Sequence, residues 1–345
     1  MNSVEISEFS AEKADWDNYV LKHLGSSWYH LIAWKNVVEN SFGHKGIYLM
    51  AHEDKKICGI LPLFFINSRL FGKFFVSLPF ANYGGICADS ESAAASLISR
   101  AKELTSKYKG KYLELRHITP LAEGGLYNKL HKETFLLKLN ADSSYLWRNF
   151  SDKLRNRIRK AEKYGLIVKI GGRELLDDFY DAYAQRMKEL GSPVYGFNFF
   201  QNVLVEFPEK AKAVMVYYRD KEIGAAIFVS FRKTIDVPWE VSSARYFNLC
   251  PNSYLYWKVI SYACENNYEY LDFGTSNIDS SHSFFKARWG AKPIQLHWQY
   301  YLNTVDKLPQ LSPSNPMFHL PIQLWKKMPL SLTRLIGPKI ARYLP

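Results

Sequence analysis

The sequence predicts an α+β fold in which one structural unit occurs twice. Three observations carry this reading. Apolar runs joined by short polar turns appear in both halves of the chain. Each half then continues as strand, loop, helix and strand in the same order. The two series lie about 165 residues apart with elements of similar length, the signature of an internal repeat.

In the first half, GIYLMAHEDKKICGILPLFFI reads as a hairpin turning at Glu53–Lys56, and FFVSLPF as a third strand. ANYGGICADS is a Gly-containing loop. SAAASLISRAKELTSKYKG places Ala94, Leu97, Ile98, Ala101 and Leu104 at helical spacing, with Gly110 as a stop. KYLELRHI is the closing strand.

The second half begins with KAVMVYYRDKEIGAAIFVSF, a hairpin turning at Asp220–Lys221. TIDVPWEVSS is the next strand and ARYFNLCPN a loop. SYLYWKVISYACENN is a helix with Leu255, Val259, Ile260 and Ala263 on one face. YEYLDFG closes the unit. SHSFFKARWGA is a short helix and loop, and IQLHWQYYL a final strand. This divides the chain into a first domain (1–150), a second (151–305) and a tail (306–345).

The 345 residues are 47% hydrophobic and 16% aromatic, enough to repay the entropy of ordering, so whole-chain disorder is excluded. The net charge of +12 is concentrated. Residues 151–173 carry +6 and residues 306–345 carry +5, leaving +1 for the rest. The first patch is a predicted helix with Leu154, Ile158 and Ala161 as its apolar stripe and Arg155, Arg159 and Lys163 as a cationic one. A further helix runs from about Glu174 to Leu190, stopped by Gly191-Ser192-Pro193. In the tail, Pro321, Pro329 and Pro338 are placed to begin short helices rich in Lys, Arg, Leu and Trp. Residues 321–345 suit either an anionic membrane surface or packing across the first domain.

The N-terminus lacks the features of a signal peptide, and no apolar run reaches membrane-spanning length. Cys58, Cys87, Cys250 and Cys264 are widely spaced, which points to buried free thiols in a reducing cytosol rather than disulfides or zinc. The expected location is cytoplasmic, with peripheral attachment to the inner membrane face through the tail. No metal-ligand spacing, nucleophile elbow or phosphate-binding loop is present. Direct transfer between two bound substrates is therefore the expected chemistry. Asp272 interrupts an apolar strand and needs a partner: a substrate amine, or a salt bridge or cap. Asn252 and Ser253 stand where the N-cap of the helix from Tyr254 belongs, so its free N–H groups are available to an anion. Lys286 and Arg288 lie beside Trp289 and face an anionic substrate or solvent. Trp239, Tyr254, Tyr256 and Trp257 read as core or pocket wall.

The runs RNRIRKAEKYGL, MKELGSP, PWEVSS, PNSYLYW, LDFGTS and FKARWGA, with the tail LWKKMPLSLTRLIGPKIARYLP, resemble the FemAB-like family. The likeness covers about residues 20–345 and is nearest to the branch associated with exopolysaccharide and exosortase gene sets. The resemblance implies two tandem GNAT-like acyltransferase domains with a cleft at or near their junction. It also implies acyl or aminoacyl transfer, without a covalent enzyme intermediate, to an amine of a cell-envelope saccharide or lipid-linked precursor such as that of peptidoglycan. Acyl-CoA or aminoacyl-tRNA would be a co-substrate, with no tightly bound cofactor. By position, Asp272 and Lys286 become the catalytic candidates. Tyr83, Gly84, Gly85, Trp239, Arg245, Asn252, Ser253, Tyr254, Ser276 and Asn277 become substrate contacts, and Arg155, Arg159 and Lys163 anion contacts. The sequence lacks the long helical arm that tRNA-using members often carry, the Arg of the DFGRS that related sequences commonly read (here Asp272-Phe273-Gly274-Thr275-Ser276) and the Gly-rich pyrophosphate loop of CoA-binding members. The reading from a different class is a non-catalytic protein on the same scaffold that binds phosphate, nucleic acid or membrane.

Overall fold

The computed structural model describes residues 4–10, 13–69, 71–121, 125–309 and 315–344; residues 310–314 and 345 of the tail lie outside the described residues. The chain forms two compact units. The first comprises Met1–His131, Gln295–Leu311 and Arg342–Pro345, and the second Lys132–Ile294 and Ser312–Ala341.

The first unit holds β1 (Glu5–Glu8), α1 (Lys13–Lys22), α2 (Ile32–Phe42), β2 (Gly46–Glu53), β3 (Lys56–Ser68), β4 (Gly72–Val76), β5 (Cys87–Ala88), α3 (Glu91–Lys107) and β6 (Tyr112–His117). Its sheet runs β1-β2-β3-β4-β6, with β5 on β3. The β2–β3 and β3–β4 pairs are antiparallel, and α3 carries the chain over to β6, which lies parallel to β4. The turn residues Asp54 and Lys55 both take positive φ (48° and 65°), the geometry that matches the twist of a two-residue hairpin. All five residues of the predicted α3 stripe are buried. Each Leu or Ile there stabilises the unit by about 1.5–3 kcal/mol.

The second unit holds β7 (Tyr127–Lys138, from Lys132 onward), α4 (Ser143–Asn149), α5 (Asp152–Lys163), β8 (Ile167–Gly171), α6 (Leu176–Leu190), α7 (Phe197–Glu206), β9 (Ala211–Tyr218), β10 (Lys221–Phe231), β11 (Thr234–Ser242), α8 (Pro251–Glu265), β12 (Tyr270–Asn277) and α9 (Ser281–Ala287). Its sheet runs β7-β12-β11-β10-β9-β8. The first unit's pattern returns: an antiparallel hairpin, a third antiparallel strand, then α8 crossing over to a parallel strand, β12. The hairpin again turns on two residues of positive φ, Arg219 (48°) and Asp220 (61°), one position before the expected turn. The duplication is thus a duplication of topology.

The last two strands explain why the units do not break at 150 and 305. β7 follows the first repeat in sequence, yet its Lys132–Lys138 stretch pairs antiparallel with β12. β13 (Lys292–Leu302) follows the second repeat, yet His297–Leu302 pairs antiparallel with β6. Each repeat is completed by the strand that trails the other.

Three further differences have local causes. Helix α8 starts at Pro251, whose fixed φ suits a first helical position, so Cys250 (φ 61°) is its cap and Asn252 and Ser253 lie inside the first turn. Cys250 is also half-buried, unlike the other three thiols. The tail helices α10 (His319–Lys327) and α11 (Leu330–Ala341) pack on α6 of the second unit, while the end of the tail belongs to the first, where Arg342 donates to Phe42 O and Tyr343 meets His44 edge-on. Pro329 immediately precedes α11, whereas Pro338 lies within it. Arg334 donates to Asp181 at 2.6 Å, and a Cβ on Gly337 would sit 2.7 Å from Val194 Cγ1, so the contact is close. Among the described residues no helix is long and apolar enough to cross a membrane.

Candidate active site

In the second unit, four ionisable side chains gather around strands β11 and β12. Asp236 and Asp272 are register partners in adjacent parallel strands, and each is only 2% exposed. Two carboxylates side by side in a dry sheet require compensation. Asp272 Oδ1 accepts from Thr134 Oγ1 of β7 (2.5 Å) and from the Gly274 amide (2.8 Å). The Gly274 bond closes a bulge, with the β12 register slipping between Asp272 and Thr275. Gly274 has φ 71°, which a residue without a Cβ adopts freely.

That bulge builds the seat of Lys286. Helix α9 is capped by Ser280, whose side chain accepts from Ser283 N. It delivers the Lys286 ammonium to the carbonyls of Gly274 (2.7 Å) and Thr275 (2.9 Å). Burial pulls the Lys286 pKa down to about 8; the charges of Asp272, Glu240 and Asp236 oppose that pull. A lysine so placed is near its titration point at neutral pH and keeps one N–H beyond the two it has given.

Glu240 lies on β11 four residues after Asp236, but a bulge at Val237-Pro238 shifts the register between them, so the two carboxylates leave the strand on opposite faces. Loss of water pushes its pKa up to about 7, against the hydrogen bond from Ser242 Oγ (3.2 Å) and the positive charges of Lys286 and Arg186. The buried Tyr256 of α8 is held fully protonated by burial and by the same three carboxylates. The sequence marked Asp272 and Lys286 but passed over Glu240 and Asp236. Two acidic residues in an otherwise largely apolar strand were the available signal.

A second feature lies at the start of α8. A cavity of about 850 Å³ is lined by Asn248, Cys250, Asn252, Ser253 and Phe285, and by Lys153, Asn156, Arg157 and Lys160 of α5. The predicted α5 helix and its buried stripe (Leu154, Ile158, Ala161) are present. The cations on the cavity come from its Lys153–Arg157–Lys160 face. Arg155 instead pairs with Asp152, Arg159 bonds Asn156 and lies over Trp147, and Lys163 is exposed and outside the lining. Both sets follow helical spacing, and the two-residue offset between them puts them on different faces of α5.

The other sequence-marked residues are dispersed. Trp239 is buried edge-to-face against Phe199 and Phe200, a core position. Tyr254 belongs to the core around α8, with Lys258 over its ring. Arg245 is exposed and rests on Tyr246. Ser276 is buried and its hydroxyl has no partner among the described residues, and Asn277 is exposed.

Tyr83, Gly84 and Gly85 lie in the first unit, in a loop pinned at several points. The Gly84 amide donates to Arg116 O and its carbonyl accepts from Ser77 Oγ, both at 2.8 Å. His30 Nε2 sits 3.2 Å from Gly85 O, and the Ile86 amide donates to His117 Nε2 at 3.1 Å. Burial lowers the pKa of both histidines to about 4, so both are neutral. Arg116 pairs with Glu114 at 2.7 Å, both buried, and stacks over Trp298.

Residues 148–286 match the family described as acetyltransferase (GNAT) domain, a stretch that contains Asp236, Glu240, Asp272 and Lys286. No curated protein matches the chain. Among solved structures, FemX is similar over 91% of this chain and 99% of its own, with a TM-score of 0.68 and 14% identity. The C-terminal domain of a putative lysylphosphatidylglycerol synthetase from Agrobacterium fabrum matches over 84% and 91%, with TM-score 0.58 and 12% identity. A tandem GNAT protein from the clavulanic acid biosynthesis pathway matches over 89% and 100%, with TM-score 0.57 and 11% identity. At these identities the structural likeness establishes the fold. Residues 148–286 are thus similar to the acetyltransferase (GNAT) domain, and the chain as a whole shares its fold with FemX and with a tandem GNAT protein.

Proposed function

We propose that this protein is an acyltransferase that moves an acyl or aminoacyl group onto an amine of a cell-envelope saccharide or lipid-linked precursor. The observation that carries the reading is the cluster of Glu240, Asp236, Asp272 and Lys286 inside the matched GNAT domain. The acceptor amine attacks the donor's activated carbonyl. A C–N bond forms, the C–S or C–O bond to the carrier breaks, and the carrier leaves with its electron pair. The attacking amine must shed a proton. Glu240, titrating near 7, is matched to take it at neutral pH. The remaining Lys286 N–H steadies the carbonyl oxygen as charge develops there. Asp272 has its Oδ1 engaged with Thr134 and Gly274, so its role is to fix the bulge that seats Lys286.

The basic cavity at α8 supports a phosphate-bearing donor such as acyl-CoA or aminoacyl-tRNA, bound through Lys153, Arg157 and Lys160. The tail supports contact with an anionic membrane: Met317, Leu320, Leu324 and Leu335 are more than half exposed, beside Lys326, Lys327 and Lys339.

The test is transfer of a radiolabelled acyl group from acyl-CoA or aminoacyl-tRNA to amine acceptors. Asp272→Asn and Lys286→Ala should each lower turnover at least tenfold. Unchanged turnover in both would refute the assignment. Salt-sensitive phosphate or nucleic-acid binding with no turnover of any donor would favour the non-catalytic reading.

A further inference from the structure

Two more cavities of the second unit continue from the basic one, the small one sharing walls with it and the larger one sharing walls with the small one. The first is small, about 80 Å³, and is lined by Ser151, Lys153, Arg157, Ser253 and Arg288, with Phe285 and Trp289. It holds the space of only a few waters, suited to a single tetrahedral oxyanion. The second measures about 770 Å³ and shares Ser151, Arg288 and Trp289 with the first. Leu136, Leu146, Phe150 and Ile294 line its apolar part, and Lys138 and Lys292 stand among its lining residues.

The charge is one-sided. The linings of the three cavities contain six cations (Lys138, Lys153, Arg157, Lys160, Arg288 and Lys292) and no carboxylate. Among the described residues none of these six makes an ion pair. One buried polar group at the shared walls is also unengaged: among the described residues the indole N–H of Trp289 is buried without a partner. Ser253, 2% exposed, lines the small cavity as well. Buried polar groups are ordinarily satisfied, so an unsatisfied donor beside a cationic hollow marks a place for an anion.

We propose that the small and large cavities together bind a single-chain lipid phosphate. Its phosphate is held by Arg288, Lys153, Arg157 and the Ser253 hydroxyl, and its hydrocarbon chain lies along Leu136, Leu146, Phe150 and Ile294. A free phosphate would leave the apolar hollow wet, and a neutral chain would leave the cations unanswered. The phosphate end uses Lys153 and Arg157, which the proposed acyl donor would also meet, but the inference concerns binding alone and does not require acyl transfer.

The experiment titrates the full-length protein with inorganic phosphate and with butyl, hexyl and octyl phosphate, each below its micelle concentration, by calorimetry. Affinity should rise by about fourfold per added methylene, the burial increment for one CH₂ group. Arg288→Gln should weaken every member of the series. Ile294→Trp, which fills the hollow, should leave inorganic phosphate unaffected and flatten the dependence on chain length. Affinity independent of chain length in the unmodified protein would overturn the proposal, whatever the variants do. So would an undiminished chain-length dependence in folded Ile294→Trp protein. Loss of acyl transfer with this series intact would refute only the catalytic reading.

Discussion

Replacing Lys286 by Met keeps the apolar stem and removes the ammonium, and the structure sets two opposing terms. The Gly274 and Thr275 carbonyls lose their shared donor. A buried acceptor left unpaired costs about 1–3 kcal/mol, so together they destabilise the variant by roughly 2–6 kcal/mol. Against this, the buried ammonium is held at a pKa of about 8 instead of its usual 10.5, a penalty of about 3 kcal/mol at neutral pH that the variant escapes. The net change at pH 7 is therefore small for a core substitution, a loss of about 0–3 kcal/mol. The pH dependence is more telling. Between pH 8 and 10.5 the unfolded chain binds the Lys286 proton and the folded chain has released it, so wild-type stability rises with pH there. From pH 7 to 9.5 the wild type should gain about 2 kcal/mol relative to Lys286→Met, because the variant lacks this titration. Chemical denaturation of both proteins at the two pH values reads the difference directly. Parallel stability curves would show that Lys286 is not desolvated, and the basis for its role would fail.

Two other predictions use different parts of the molecule. His30 and His117 are buried and neutral while the unfolded chain protonates them below about 6.5, so stability is full above pH 6.5 and drains as pH falls through 4. The loss is of order 3 kcal/mol for each histidine. Denaturation between pH 7 and 4 should show it, and His117→Gln should shallow the fall. At the basic cavity, Lys153→Ala, Arg157→Ala and Lys160→Ala should each weaken binding of a polyphosphate-bearing donor by roughly two- to fivefold, the worth of an exposed charge pair. Arg159→Ala, on another face of α5, should leave titration calorimetry unchanged.

How much was legible in the sequence follows the range of the interactions. Hairpins and helices are local, so Glu91–Lys107, Asp152–Lys163 and the strands around Asp54 and Asp220 could be read from periodicity and turn residues. Asp272 stood out because a carboxylate in an apolar strand needs an explanation. What supplies it, Thr134 in a strand well over a hundred residues earlier, has no local trace. β13 was legible as a strand but its pairing with β6 was not, and β7 went unread, for the same reason: backbone pairing carries no side-chain code for its partner. The α5 cations show a subtler limit. Both cationic faces satisfy helical spacing, and only the position of α8 selects Lys153, Arg157 and Lys160.

The central claim is that Glu240, poised near neutrality beside Lys286, takes the acceptor's proton. It is tested most directly by the pH dependence of kcat/KM for acyl transfer in the wild type and in Glu240→Gln. The wild type should lose rate on acidification with a limb near pH 7. The variant should lack that limb and run about 10²–10⁴-fold slower above it, the usual worth of a positioned base. A Glu240→Gln enzyme that keeps both the rate and the limb would contradict the account.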